Sequence, residues 1–525
     1  MKRTHTIFLL STLAAWILAQ AFFSTPARAG GQTFHVDPSG SDASGDGSPD
    51  SPWATILYAA NQVTAGDTVL IHPGAYEGGV IVEASGSAAE PITFQADGPG
   101  VIIEGSGGEQ DAFYITEAGY VIVDGLTIQH ADRAGLRISL SDHVTVRNCT
   151  FADNGTWGLF TDFSDYTLVE NVESYGAVEE HGIYISNSSD FPTIRNNRLH
   201  HNYANGLHMN GDISMGGDGV ISDGLIENNI IYENGLAGGS GINMDGVTDT
   251  LVRNNLLYDN HSSGISVYQI DGGSGSQNNR ILNNTILMPD DGRWAVNIPD
   301  GSDTGNQVYN NILYSDHTWR GSIAIAEPGL AGFESDYNII VDRFSTDSGD
   351  SNMDFAAWQA LGYDLNSILA TPEELFVDEA AGDYRLKPGS PAIDAGVALP
   401  DVPADLEGNP RPIGLAYDIG AYEFVPALAM SAFPSDQAVH LAWGVNITLP
   451  ITATWRIDYN GPAGDEPPPI SGIGPEVRTY SLTGLENYTI YTFLLNAVVG
   501  AAPVLTATAT AMPTDLFAFL PVIFR

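Results

Sequence analysis

Between Pro192 and Ile298 one phrase returns four times: TIRNNRLHHN…GLHM, LIENNIIYEN…GINM, LVRNNLLYDN…GISV and RILNNTIL…AVNI. Each copy has an apolar pair, one or two Asn, a second apolar pair, a short loop, and a Gly or Ala that opens an alternating strand. The leading asparagines, Asn196, Asn228, Asn254 and Asn283, are spaced by 32, 26 and 29 residues. A constant phrase at unequal spacing means one coil of fixed geometry with loops of variable length. The strands are short and β-branched and no 3.6-residue period runs through them. Stacking such coils buries Ile, Leu and Val, and lets a recurring Asn bond to the copy above and below it. The expectation is an all-β, parallel β-helix. A propeller or sandwich would instead need regularly spaced antiparallel hairpins, which are missing.

The chain of 525 residues can hold this solenoid and a smaller domain. Residues 1–29 read as a secretory signal: Lys2 and Arg3, an apolar run from Ile7 to Phe23, then Ala27-Arg28-Ala29. Export to the cell exterior or surface is the expectation, with no membrane span in the mature chain. Lys+Arg number 19 against Asp+Glu 64, a net charge of −45, which excludes nucleic acid as a partner. A polyanionic substrate would need local Arg or bridging Ca²⁺. Cys149, the only cysteine, cannot form an internal disulfide and reads as an inert core thiol.

A helix is expected over Trp53–Val63, covering the open end of the solenoid against edge-to-edge pairing. The next segment carries Gly66-Asp67-Thr68-Val69 and Pro73-Gly74-Ala75-Tyr76-Glu77. It resembles the first coil of secreted proteins of the pectate-lyase-like right-handed β-helix superfamily. VYNNILYS at Val308 is the last clear coil, and FAAWQAL (Phe355–Leu361) is expected to close the far end. The stretch from DYRLKPGSPAIDAG to YDIGAYEF, ending at Phe424, is similar to the C-terminal element of many such helices, so residues 30–424 form one unit. Over residues 425–512 alternating strands, Trp443, Thr483-Gly484-Leu485 and Tyr491 resemble a fibronectin type III β-sandwich. The apolar tail, residues 513–525, can act as a sorting or surface-anchoring tag. A monomer is expected.

In the strand Gly-φ-x-φ-x the φ residues point inward and both x residues outward. Coil by coil the outward pairs are Arg137/Ser139, Phe160/Asp162, Tyr184/Ser186, His208/Asn210, Asn243/Asp245, Ser266/Tyr268 and Asn297/Pro299. Neighbouring coils lie about 4.8 Å apart, so these side chains share one patch. The longest loops flank the same strands: GDISMGGDGVIS, GLAGGS, DGGSGSQ and PDDGRW. A groove with walls is one reading, and a surface ladder with tolerated insertions the other.

The resemblance to secreted β-helices implies a polysaccharide partner and activity as a lyase, epimerase or glycosidase, often with Ca²⁺. Once the signal is removed, the only lysine is Lys387, outside the coils, so a lysine base is unavailable. The DPHD-type signature of alginate epimerases is also absent. A lyase acting by β-elimination on an acidic polysaccharide needs a base, an acid and a carboxylate-neutralising group. His208 is the candidate base, Tyr184 or Tyr268 the acid, and Asn210 and Asn243 the carboxylate holders. Arg137 and Asn297 fit outer subsites, while Asp212, Asp218, Asp245 and Asp271 could carry Ca²⁺. A hydrolase of a neutral glycan would instead use Asp245 paired with Asp212 or Asp271. A non-catalytic carbohydrate-binding surface protein is the third reading. His181, His200, His201 and His261 are expected to be surface or stacking residues.

Overall fold

A computed structural model describes residues 30–105, 110–447, 449–460, 467–500 and 502–516. The expected signal segment and the end of the apolar tail lie outside the described residues. From Thr33 to Leu369 the chain winds into a right-handed β-helix walled by parallel sheets of 12, 11 and 12 strands. Each strand pairs with its counterpart one coil away. Val, Ile and Leu at alternate positions, among them Val146, Ile194, Ile226, Val252 and Ile281, are fully buried in one continuous core.

The paired asparagines divide their work. Asn196, Asn228, Asn254, Asn283 and Asn310 all sit at φ between 52° and 57°, the left-handed corner between two sheets that Asn tolerates. Their successors point inward and stack. Asn229 Nδ2 donates to Asn255 Oδ1 (2.9 Å), Asn255 Nδ2 to Asn284 Oδ1 (2.9 Å) and Asn284 Nδ2 to Asn311 Oδ1 (3.0 Å). In an earlier coil Cys149 takes this inner place, where its sulfur is buried and burial pushes its thiol up to about 12.

A short helix packs at each end of the solenoid. Helix α1 (Ile56–Ala60), capped by the Thr55 side chain, covers the first coil. Helix α2 (Phe355–Ala360) closes the last one, burying Trp358 completely, with its indole N–H donated to Asp364 at 2.7 Å. The C-terminal element packs Leu375, Phe376, Tyr384 and Ile419 against Leu256, Leu287, Ile312 and Ile339 on the outside of the third sheet. Arg411 and Glu423 form a wholly buried ion pair of 2.9 Å there, and Arg411 also donates to Asn254.

Beyond it are two antiparallel sheets. One holds β8 (Leu428–Ser435), β9 (Ala438–Val445) and β12 (Thr479–Thr483). The other, in the order β11-β10-β13-β14, holds β10 (Thr454–Tyr459), β11 (Ile470–Ile473), β13 (Tyr491–Val499) and β14 (Ala502–Ala511). Trp443, Trp455, Phe493 and Leu495 form a core separate from that of the helix. No helix among the described residues is long and apolar enough to cross a membrane.

Candidate functional site

The 11-stranded sheet carries seven strands of interest: β1 (Ala134–Ser139), β2 (Trp157–Asp162), β3 (Ile183–Ser186), β4 (Leu207–Asn210), β5 (Ser240–Asp245), β6 (Ser263–Tyr268) and β7 (Val296–Ile298). Their register places Arg137, Phe160, Tyr184, His208, Asn243, Ser266 and Asn297 in one outward row. Ser139, Asp162, Ser186, Asn210, Asp245 and Tyr268 form a second row beside it. Although they face outward, Asp162, Asn210, Asn243 and Asp245 are buried, and Tyr184, His208, Tyr268 and Asn297 half-buried. The patch is therefore a recessed floor.

Excursions 211–222 and 271–277 pack together at one edge. Ile213 N–H donates to Asp271 O (2.9 Å) and Gly273 N–H to Gly219 O (2.7 Å). Gly246 and Gly272 touch so closely that a Cβ on Gly246 would lie 2.7 Å from the Gly272 Cα, which only glycine permits.

Two phenols lean toward each other across the floor. Asn210 Nδ2 donates to the Tyr184 hydroxyl at 3.1 Å, one coil forward; Asn243 Nδ2 donates to the Tyr268 hydroxyl at 2.8 Å, one coil back. Burial raises both phenol pKa values above the ordinary tyrosine range, and the nearby Asp245 raises that of Tyr268 further. Between them His208 stacks on the Tyr184 ring, centroids 4.7 Å apart and planes 7° from parallel.

His181, expected at the surface or in a ring stack, is buried, packs edge-on against Tyr184 and His208, and is wired to His208. Its Nδ1 accepts from the Asn205 backbone N–H (3.2 Å), and its Nε2 lies 2.9 Å from His208 Nδ1. Burial holds His181 well below the ordinary histidine pKa and His208 down to about 3, so both are neutral near pH 7. Because His181 Nδ1 accepts, its proton sits on Nε2 and is donated to His208 Nδ1. His208 then carries its proton on Nε2, a buried atom without an acceptor. In this tautomer His208 is a donor, which corrects its expected role as base. No sequence pattern joins His181 to His208, since it lies on the turn before β3, 27 residues earlier.

The acidic candidates are also reassigned. The Asp245 carboxylate accepts the backbone N–H groups of Ile270, Asp271 and Gly272 at 2.9, 2.9 and 3.0 Å. Both oxygens are occupied in holding the 271–277 excursion. Asp212 caps its own turn through Ser214, and Asp218 is held by Ser188 and Val220, while Asp271 is exposed. Among the described residues no group of three or more His, Cys, Asp or Glu side chains converges as a metal cage, so these aspartates do not assemble the expected Ca²⁺ site. Arg137 is sandwiched over the Tyr114 and Phe160 rings, and its charge is answered by Asp162 at 2.7 Å. Asn297 is half-buried at the end of its row, and among the described residues its side chain has no hydrogen-bond partner. Asp303, pushed up to about 7 by burial, accepts the Ser276 N–H in the inner stack rather than facing the floor.

Residues 34–288 match the family model described as "Pel9A-like, right handed beta helix region". The uncharacterized protein YwoF of Bacillus subtilis (strain 168) is 29% identical over 164 residues, covering 28% of this chain and 35% of that protein. The chain thus matches about a third of the length of that curated relative. A solved rhamnogalacturonan lyase is similar at 16% identity and a TM-score of 0.45, covering 67% of this chain and 92% of its own. The complex of XylC with xylose gives 13%, 0.46, 75% and 98%, and a glycoside hydrolase 12%, 0.42, 61% and 94%. Residues 34–288 are thus similar to that right-handed β-helix family, and these likenesses of chain path assign no chemistry to the protein.

Proposed function

We propose that the recessed floor of the 11-stranded sheet binds an acidic polysaccharide and cleaves it by β-elimination. The observation that carries this reading is the floor's content between β3 and β6: two phenols held by amides and a neutral imidazole with an unanswered N–H, with no free carboxylate pair. A buried donor without an acceptor costs about 1–3 kcal/mol, and a side-chain shift that opens His208 Nε2 to a uronate carboxylate, held also by Asn243, would remove that cost while withdrawing charge from Cα. Tyr268 then serves as the proton-transfer group. Its hydroxyl proton passes to the departing glycosidic oxygen, and its oxygen takes the proton α to the carboxylate, so the phenol is neutral before and after. Exposed Ile213, Met215 and Ile270 on the excursions offer apolar surface to the sugar rings.

Hydrolysis by paired aspartates has less support, because three backbone N–H groups engage Asp245 in holding the 271–277 excursion. The test is incubation with a panel of uronate polysaccharides, following absorbance of the unsaturated uronide. Tyr268→Phe is expected to lower kcat by about 100-fold or more while leaving binding intact. New reducing ends without that absorbance would assign a hydrolase, and affinity without either a binding protein.

For the C-terminal unit we infer a fibronectin type III-like sandwich serving as spacer or binding module. Its support is a tyrosine corner: the Tyr491 hydroxyl at the start of β13 accepts the Glu486 backbone N–H at 3.0 Å. Export remains part of the proposal.

A further inference from the structure

In a chain of net charge −45, arginine pairs with acid almost wherever it stands on the coils. Arg147 bonds Asp124, Arg195 bonds Glu170 and Arg253 bonds Glu227, each on a neighbouring coil. Arg293, Arg320 and Arg343 break the rule. They occupy the same turn of three successive coils, as the register of Ala295 with Gly321 and of Ser322 with Arg343 shows, and none pairs with a carboxylate among the described residues. Arg343 is spent on the carbonyls of Arg320 and Ser315.

Arg293 and Arg320 are different. Arg293 is exposed with an unbonded guanidinium, and Arg320 makes one long contact, 3.4 Å, to the Gly292 carbonyl. The two lie close enough that Arg293, together with burial, lowers the Arg320 pKa. Of the acids nearest in sequence, Asp291 bonds His261 at 2.8 Å and Asp290 is exposed, with no ion pair to either arginine among the described residues. Like charges held together without a counter-ion cost free energy that an anion between them would return.

The pair borders the floor. Arg293 sits in the 289–294 excursion leading into β7, and its Nη2 lies 3.8 Å from a Cβ built on Gly238, at the entrance to β5. The next residue but one, Ser240, donates its N–H to Asn205, the residue that holds His181. Beside Arg320 the indole of Trp319 is 48% exposed.

We propose that Arg293 and Arg320, with Trp319 as an apolar face, form a subsite for the carboxylate of a uronic acid unit several units along the polymer from the one held at His208. This deepens the proposed function and rests on it for the identity of the polymer. An Arg pair meets a carboxylate with directed N–H donors, and an indole suits the C–H face of a sugar.

The test titrates Tyr268→Phe protein with polygalacturonate and with its fully methyl-esterified form, the same backbone without charge. The free acid is expected to bind more tightly, less so as salt rises. Arg293→Gln with Arg320→Gln is expected to erase that preference, a loss of about tenfold or more, while leaving affinity for the ester. Arg293→Lys with Arg320→Lys should keep part of it, which separates lost charge from lost folding. A preference that survives the double Gln change, or no preference in the parent, overturns the subsite. If the preference is lost on the Gln change but the wild-type protein forms no unsaturated uronide, the subsite stands and the elimination chemistry falls.

Discussion

His208 is governed by His181, a residue outside both rows of the floor. The Asn205 N–H occupies His181 Nδ1, which leaves one protonation pattern for the pair, and burial keeps that pattern neutral. The folded-state pKa of His208 lies below its unfolded value, so the folded chain binds fewer protons between about pH 3 and 6.5. Its contribution to stability is therefore present above pH 6.5 and lost on acidification. With ¹⁵N-labelled histidine, the His208 signals are expected to show protonation at Nε2, not Nδ1, and no titration from pH 8 down to 5. In His181→Ala the constraint is removed and a titration near pH 6 should appear. A wild-type Nδ1–H tautomer would restore His208 as a base. The sequence could mark His208 as outward-facing from strand alternation alone. It could not mark His181, because a turn residue has no alternation to read, nor Asp245 as a loop holder, because backbone donors leave no signature in side chains.

On the scale of the coil, the Asn-Asn pair combines two demands that look identical in sequence. Asn196 answers a backbone demand, φ +56°, and its side chain is exposed; Asn197 is buried and donates to Val169 O (3.0 Å) and Asn229 Oδ1 (3.0 Å). Neighbouring substitutions should therefore behave oppositely. Asn196→Gly keeps the left-handed corner and is expected to change stability by less than about 0.5 kcal/mol, whereas Asn196→Val should cost roughly 1–2 kcal/mol. Asn197→Ala strands the Val172 N–H, the Val169 carbonyl and the Asn229 Oδ1 and should cost on the order of 2–3 kcal/mol. Thermal melting of the three variants checks the order; equal losses for Asn196→Gly and Asn197→Ala would dissolve the distinction. The repeat made the coil and its strand register readable. The spacing of 26 to 32 residues said nothing of which Asn turned and which stacked, since that depends on the corner's φ.

For the whole molecule, the question is what each C-terminal part protects. The pair of C-terminal antiparallel sheets has its own core, while the element from Leu375 to Phe424 has none apart from the outer face of the third sheet. That face carries Leu256, Leu287, Ile312 and Ile339, and beside it Asn283 and Asn310 donate to the carbonyls of Asp418, Gly420 and Val397. Sequence alone placed this element with the helix only by resemblance, because the contacts that bind it span more than 85 residues of chain. Ending the chain after Phe424 is expected to leave a folded, monomeric β-helix with the helix's melting transition unchanged. Ending it after Ala370 uncovers those four apolar side chains and strands the corner amides, and a contiguous apolar face of that kind drives association. Size-exclusion chromatography and binding of a hydrophobic dye should separate the two truncations. If the shorter chain is as monomeric and dye-free as the longer one, the element is an appendage and the sheet's outer face is stable in water without it.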